Sequence, residues 1–220
     1  MGASAEVTQP TTKGISTNRN LSALAAALSA CGIEFAFRYY SRTTHQPQKR
    51  LTAAEAAALG AAGIQVAVVY EDAPLSAAYF TEARGKLDGA SAVAEAAALG
   101  QPQGSAIYFA VDYDALPHDI SGAVCEYFAG VNEAMAGKGY AIGVYGSGAV
   151  CQYLKANCPF VQYTWLAESR GWSGTKAYTA WNVIQTVSPG PLAGLGQDDY
   201  ELCEARSPFG AFILAQSATP

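Results

Sequence analysis

The chain has 220 residues, half of them apolar and only 14% charged, which allows one sizeable core and argues against extensive disorder. Its formal net charge is -5, and its longest basic run is the pair Lys49-Arg50, so a nucleic-acid partner is not expected. No apolar run reaches the ~18 residues of a membrane span, and Met1 to Lys13 has no apolar signal core, so either a cytoplasmic protein or an export route not visible in this chain is expected.

Strand-like and helix-like segments alternate in chain order. Residues 1–12 read as a flexible lead. Strands are predicted at Lys13–Ser16, Ile33–Tyr40, Ile64–Tyr70, Ala106–Asp112, Tyr140–Tyr145, Gln162–Ala167, Tyr178–Gln185 and Asp199–Cys203. Several are apolar on both faces, as parallel strands covered by helices are. Between them, Leu21, Leu24, Ala25, Leu28 and Cys31 fall at helical spacing. Thr52-Ala-Ala-Glu55 has the form of a capping box. Asp88-Gly-Ala-Ser leads into an Ala-rich helix that Gly100 ends, and an apolar stripe from Val124 to Met135 precedes Gly137. Weaker helical segments follow at Ser147–Ala156 and around Gly171–Lys176. Eight strands with helical crossovers predict one compact (β/α)8 barrel over residues 13–220, with eight parallel strands and a monomeric state. A doubly wound open sheet is the competing architecture, and the absence of a Gly-rich phosphate loop weighs against nucleotide binding.

The most informative segment is Ala106-Ile-Tyr-Phe-Ala-Val-Asp-Tyr-Asp114. Alternate side chains of a strand share a face, so Asp112 and Asp114 are expected to leave one strand end together. Crowded carboxylates push their pKa values apart, the asymmetry that acid catalysis at a glycosidic bond needs. The alternative is local: Asp114 precedes Ala-Leu-Pro and suits a turn.

A barrel of this kind places its site at the C-terminal strand ends. Those ends carry Ser16, Arg38 with Tyr40, Glu71 with Asp72, Asp112 with Asp114, Tyr145, Trp165 with Glu168, Gln185, and Asp198 with Asp199. Carboxylates and aromatics together are what a sugar site uses. Asp112, Asp114 and Asp199 are the catalytic candidates, and Arg38, Tyr40, Glu71, Tyr145, Trp165 and Gln185 the substrate-binding ones. Each has a structural alternative in ion pairing, core packing or helix initiation. The two histidines, His45 and His118, adjoin no Ser or Cys motif, so a Ser or Cys hydrolase is disfavoured. The five cysteines match no zinc or redox spacing, and no cofactor is called for; buried free thiols are expected, with Cys151 and Cys158 open to bridging after export. The paired acids leave an oxygen-only Mg or Ca site open.

Phe35-Ala-Phe-Arg-Tyr-Tyr-Ser41, Asp88-Gly-Ala-Ser-Ala-Val-Ala-Glu95, Gly104 to Asp114 and Ile142-Gly-Val-Tyr-Gly146 resemble a bacterial glycoside-hydrolase-like domain of unknown function, of the type found in mycobacterial cell-envelope proteins. That family is a distant relative of the family 25 lysozymes. The resemblance runs from about Lys13 to Arg206 and implies a (β/α)8-like barrel acting on cell-wall glycan. The lysozymes' strand-four Asp-x-Glu corresponds here to Asp112 and Asp114. Their first-strand Gly-x-Asp reads Gly14-Ile15-Ser16, a departure that removes a charge. Asp199, in Asp-Asp-Tyr-Glu201, matches their strand-eight Asp, and Gln185 resembles their strand-seven glutamine. Two expectations follow: a hydrolase of peptidoglycan or another envelope glycan, with Asp114 as acid, Asp112 as its charged partner and Asp199 positioning substrate or water, or a glycan-binding barrel that has lost the chemistry.

Overall fold

The computed structural model describes residues 11–214. Eight strands close in sequence order into one barrel: β1 Thr11–Ser16, β2 Phe35–Tyr40, β3 Gln65–Tyr70, β4 Ala106–Ala110, β5 Ala141–Gly146, β6 Val161–Leu166, β7 Val183–Thr186 and β8 Glu201–Arg206. Of the expected lead, residues 1–10 lie outside the described residues, and Thr11 and Thr12 open β1.

Pairing is parallel from β1 through β7, but β8 runs antiparallel to both β7 and β1, so the all-parallel expectation is corrected. A parallel strand needs a crossover that carries the chain back to the opposite end of the sheet. The chain after Thr186 makes none: it has only a 3-10 turn at Gln197–Asp199 before β8 begins. The first residue of β8, Glu201, therefore sits beside the last residue of β1, Ser16.

Helices α1 Ala25–Ala30, α2 Ala53–Ala61, α3 Glu82–Leu99, α4 Pro117–Asp119, α5 Cys125–Met135 and α6 Gly148–Asn157 cover the barrel; a wide π turn, Ile120–Val124, joins α4 to α5. Three local readings change. The segment Gly171–Lys176 forms turns and no helix. Asp88 lies inside α3, because the helix already starts at Thr81, whose side chain accepts the Arg84 N–H at 3.1 Å. Its carboxylate is buried against Arg84 (2.8 Å), Tyr79 (2.6 Å) and Tyr127 (3.0 Å). At α2 only half of the capping box forms: Thr52 accepts from the Glu55 N–H at 3.2 Å, but the Glu55 carboxylate turns away to a buried arginine, Arg38.

Two apolar layers hold the fold. One lies between barrel and helices and includes Leu28, Leu59, Val68, Phe109, Tyr127, Phe128 and Val144. The other fills the barrel with Phe35, Phe37, Val69, Tyr108, Trp165 and Phe209. Phe37 stacks on Trp165 with ring centroids 3.9 Å apart. The large rings fit because neighbouring inward positions are glycines: a Cβ on Gly14 or on Gly143 would lie 2.5 Å from the rings of Phe35 and Tyr108 respectively. This plug closes the barrel below its C-terminal rim, and inward residues one step further along the strands face an open mouth.

Candidate active site

The mouth is a cavity of about 370 Å³ lined by Tyr39, Lys49, Glu71, Asp112, Tyr145, Trp165, Glu168, Gln185 and Glu201, among others. The period of two explains most of this list. Phe37 is inside the barrel, so Tyr39 is too; Val69 leads to Glu71 and Ala110 to Asp112. On β8 the direction reverses: Cys203 is inside, and two residues earlier comes Glu201.

Hydrogen bonds lock one wall. Tyr145 donates to Gln185 Oε1 at 3.0 Å, Gln185 Nε2 donates to Ser16 Oγ at 3.1 Å, and Ser16 donates to Glu201 Oε2 at 2.8 Å. Opposite, Lys49 Nζ lies 2.6 Å from Glu71 Oε1 and 4.4 Å from the centroid of the Tyr39 ring. The carboxylates crowd one another. Burial pushes the Asp112 carboxyl up to about 6; the charge of Glu71 adds to this, Lys49 opposes it and Glu201 adds again. Burial also raises Glu201, the Ser16 hydroxyl counteracts part of that, and Glu168 and Glu71 add to it. Burial and then the same carboxylates hold the Tyr39 and Tyr145 phenols well above their ordinary value, so both are neutral donors. A protonatable acid beside other carboxyl groups, in a cleft with neutral donors, can deliver a proton and stabilise developing positive charge. Among the described residues, no three His, Cys, Asp or Glu side chains group to hold a metal ion.

Of the sequence candidates, Asp112, Glu71, Tyr145, Trp165 and Gln185 come together in this cavity. Asp114 does not line it. The period holds one step past the strand end, to Asp112, but the chain bends at Tyr113, so the shared-face argument lapses before Asp114, which is exposed and accepts the Ser173 N–H at 2.8 Å. Asp199 lies on the turn before β8, where it accepts the Gly196 N–H at 2.8 Å and pairs with Arg19 at 2.6 Å. Those two partners, the backbone N–H first, lower its pKa. Arg38 and Tyr40 point out of the barrel. Arg38 is fully buried, bonded to Glu55 at 2.7 Å and to the carbonyls of Thr17 and Gln48 (the latter at 2.7 Å). Tyr40 donates to Gln101 at 2.8 Å. Tyr39, Lys49, Glu168 and Glu201 line this cavity and are not among the candidates named from the sequence. Parity along β2 would have found Tyr39, whereas Lys49 comes from a loop turn and Glu201 from a reversed strand.

Residues 26–201 match the family model of the Rv2525c-like, glycoside hydrolase-like domain. The chain belongs to this family. A curated relative, the protein FadG of Bacillus subtilis, is 28% identical over 207 residues, covering 88% of this chain but only 36% of its own length. Among solved structures, the Mycobacterium tuberculosis Tat-secreted protein Rv2525c, in complex with L-tartrate, has a TM-score of 0.76 at 17% identity, covering 91% of this chain and 98% of that one. A family 25 glycosyl hydrolase from Bacillus anthracis has a TM-score of 0.59 at 12% identity, covering 95% and 100%. The modular autolysin LytC of Streptococcus pneumoniae, in complex with a synthetic peptidoglycan ligand, has a TM-score of 0.57 at 14% identity, covering 92% of this chain and 47% of that one. At these identities the likeness to solved structures is one of fold. The chain is thus a glycoside hydrolase-like domain whose barrel is shared with family 25 lysozymes and cell-wall lytic enzymes.

Proposed function

We propose that this domain hydrolyses a glycosidic bond of peptidoglycan or another cell-envelope glycan, with Asp112 as the general acid. The observation that carries the reading is Asp112 itself: a carboxyl at the barrel mouth, pushed up to about 6 by burial and by Glu71. Near neutral pH a fraction of such a group is protonated, and it can protonate a leaving glycosidic oxygen. Glu201, hydrogen-bonded to Ser16, supplies the negative charge that stabilises an oxocarbenium-like transition state. Tyr39, Tyr145 and Gln185 orient hydroxyl groups, and Trp165, stacked on Phe37 below them, backs the Tyr145 ring at 4.7 Å between centroids. In this reading Asp114 and Asp199 shape the loops around the mouth through Ser173, Gly196 and Arg19 and touch no substrate. The fold shared with a peptidoglycan-bound autolysin supports the choice of substrate.

A second reading, a glycan-binding barrel without turnover, is favoured by Ser16, which stands where the family 25 lysozyme pattern has a carboxylate. One experiment separates the two. Reducing-end release from purified peptidoglycan and other envelope glycans is compared for the wild type, Asp112→Asn, Glu201→Gln and Asp114→Asn. The hydrolase reading expects turnover that Asp112→Asn abolishes, with binding kept within about tenfold, and that Asp114→Asn leaves within about threefold. Saturable binding without turnover by the wild type supports the binding barrel.

A further inference from the structure

Resting on that reading of the mouth as a glycan site, we propose that it selects a sugar with a free, protonated amine, a hexosamine unit that is not N-acetylated. Four carboxylates, Glu71, Asp112, Glu168 and Glu201, line the cavity with one cation, Lys49. Lys49 is already committed to Glu71 at 2.6 Å. Asp112, Glu168 and Glu201 have no cation at ion-pair distance among the described residues, so an ammonium group entering the mouth meets carboxylates that Lys49, held by Glu71, acts on only from further away. Such an arrangement attracts a cation and repels an anionic glycan.

A second observation separates a sugar from a simple polyamine. Trp165, in the same lining, is almost completely buried, and its indole N–H has no partner among the described residues. A buried donor without an acceptor is costly, and a ligand that supplies a hydroxyl oxygen removes that cost. The Tyr145 and Gln185 groups of the same wall offer further hydroxyl partners. The cavity volume, about 370 Å³, lies in the range of sites that enclose a small ligand (roughly 300–1,000 Å³). An amine and hydroxyls on one compact ring meet both demands.

The test uses the full chain and two probes of equal length, glucosamine tetramer and N-acetylglucosamine tetramer. Affinities are measured by titration calorimetry at low salt and at roughly 0.5 M salt, where the Debye length falls to about 4 Å and the longer-range attraction of the mouth is screened. The glucosamine tetramer is expected to bind at least about tenfold more tightly, as a close charge pair allows. The preference should weaken in high salt and collapse in Glu168→Gln, yet persist in Glu204→Gln, which removes an equal charge from the exposed face of β8. Equal affinities, or tighter binding of the acetylated tetramer, overturn the proposal and leave the glycan reading standing. An equal loss of preference in Glu168→Gln and Glu204→Gln overturns it too, since the attraction would then come from net charge. Displacement of the glucosamine tetramer by an equal concentration of spermine overturns the requirement for a sugar. Failure of both tetramers to bind overturns the proposal together with the glycan reading.

Discussion

The Ser16 hydroxyl donates a 2.8 Å hydrogen bond to the Glu201 carboxylate, and the two residues face each other directly across the antiparallel β1–β8 ladder. The departure at strand one is therefore not a hole in the site. Space that a first-strand carboxylate would occupy is shared with a carboxylate leaning in from strand eight, and that geometry depends on β8 starting at the rim. A second acid cannot be added there without conflict. Ser16→Asp would place two carboxylates in contact at a fully buried position. Their repulsion raises the pKa of the pair in the folded state, so the penalty is small at low pH and grows as pH rises. Urea denaturation is expected to show Ser16→Asp destabilised by roughly 2–3 kcal/mol at pH 8 and by clearly less at pH 5, with Ser16→Asp/Glu201→Gln recovering most of the loss. A variant as stable as the wild type at both pH values would contradict this geometry.

Arg38 and Glu55 form a fully buried pair at 2.7 Å between β2 and α2. Removing either partner strands a charge in the interior, which costs about 3–5 kcal/mol. Arg38→Met and Glu55→Gln are each expected to lower stability by that order, measured by chemical denaturation. Their double variant should lose less than the sum of the two. Glycan affinity of the folded fraction should stay unchanged, because neither side chain reaches the mouth. A specific loss of affinity in Arg38→Met, at full stability, would place Arg38 in the site instead.

Eight strand positions, the barrel and about half of the lining of the candidate site can be read from the chain because β-strands carry their own period. The alternation Phe35, Phe37, Tyr39 tells inside from outside without any tertiary information. Choosing Arg38 and Tyr40 over Tyr39 followed residue chemistry and ignored that parity, and the buried arginine proved to be answering Glu55. A two-residue period carried past the bend at Tyr113 groups Asp114 with Asp112, whereas the backbone there has already left the strand. What could not be read is non-local. The reversal of β8 depends on what the chain between Thr186 and Glu201 does in space. Lys49 reaches the mouth from the 3-10 turn Pro47–Lys49, which has no periodicity to betray it.

Cysteine pairing was equally hidden. The spacing draws attention to Cys151 and Cys158, but Cys151 is buried with its Sγ 3.7 Å from the Gly146 and Trp165 carbonyls. The sulfurs that meet are Cys125, at the start of α5, and Cys158, at the end of α6, 3.3 Å apart and both free. Burial and then Cys125 push the Cys158 thiol up to about 12, so little thiolate is present at neutral pH and oxidation should be slow. The denatured, unreduced protein is expected to titrate five thiols. Prolonged incubation with oxidised glutathione at mildly alkaline pH should lower the count to two: one intramolecular disulfide removes a pair, and exposed Cys31 forms a mixed disulfide with glutathione. That bridge, spanning 33 positions, should stabilise the fold by roughly 3–4 kcal/mol. Cys125→Ser should show no intramolecular bridge. A bridge that maps to Cys151 on peptide digestion would refute the pairing.

The pH dependence tests the acid directly. The Asp112 carboxyl has an ordinary value of 3.8 and sits at about 6 in the fold. A carboxyl raised in the folded state favours the fold while protonated. Its contribution is complete below about 3.8 and is lost as pH climbs through about 6. Wild-type stability should therefore fall across that window relative to Asp112→Asn. At pH 7 the Asn variant should be the more stable by roughly 2 kcal/mol, allowing for partial solvent screening, while at pH 3 the two should converge. Activity should fall on the alkaline side with a midpoint near 6, as the acid loses its proton. The neighbours fix the sign of any shift. Lys49→Met removes a charge that lowers Asp112, so the alkaline limb should move to higher pH. Glu71→Gln removes a charge that raises it and also frees Lys49, so the limb should move to lower pH. The measurement is kcat/KM against pH for the three proteins on one glycan. Limbs that coincide, or that move in the opposite order, would remove Asp112 as the titrating acid.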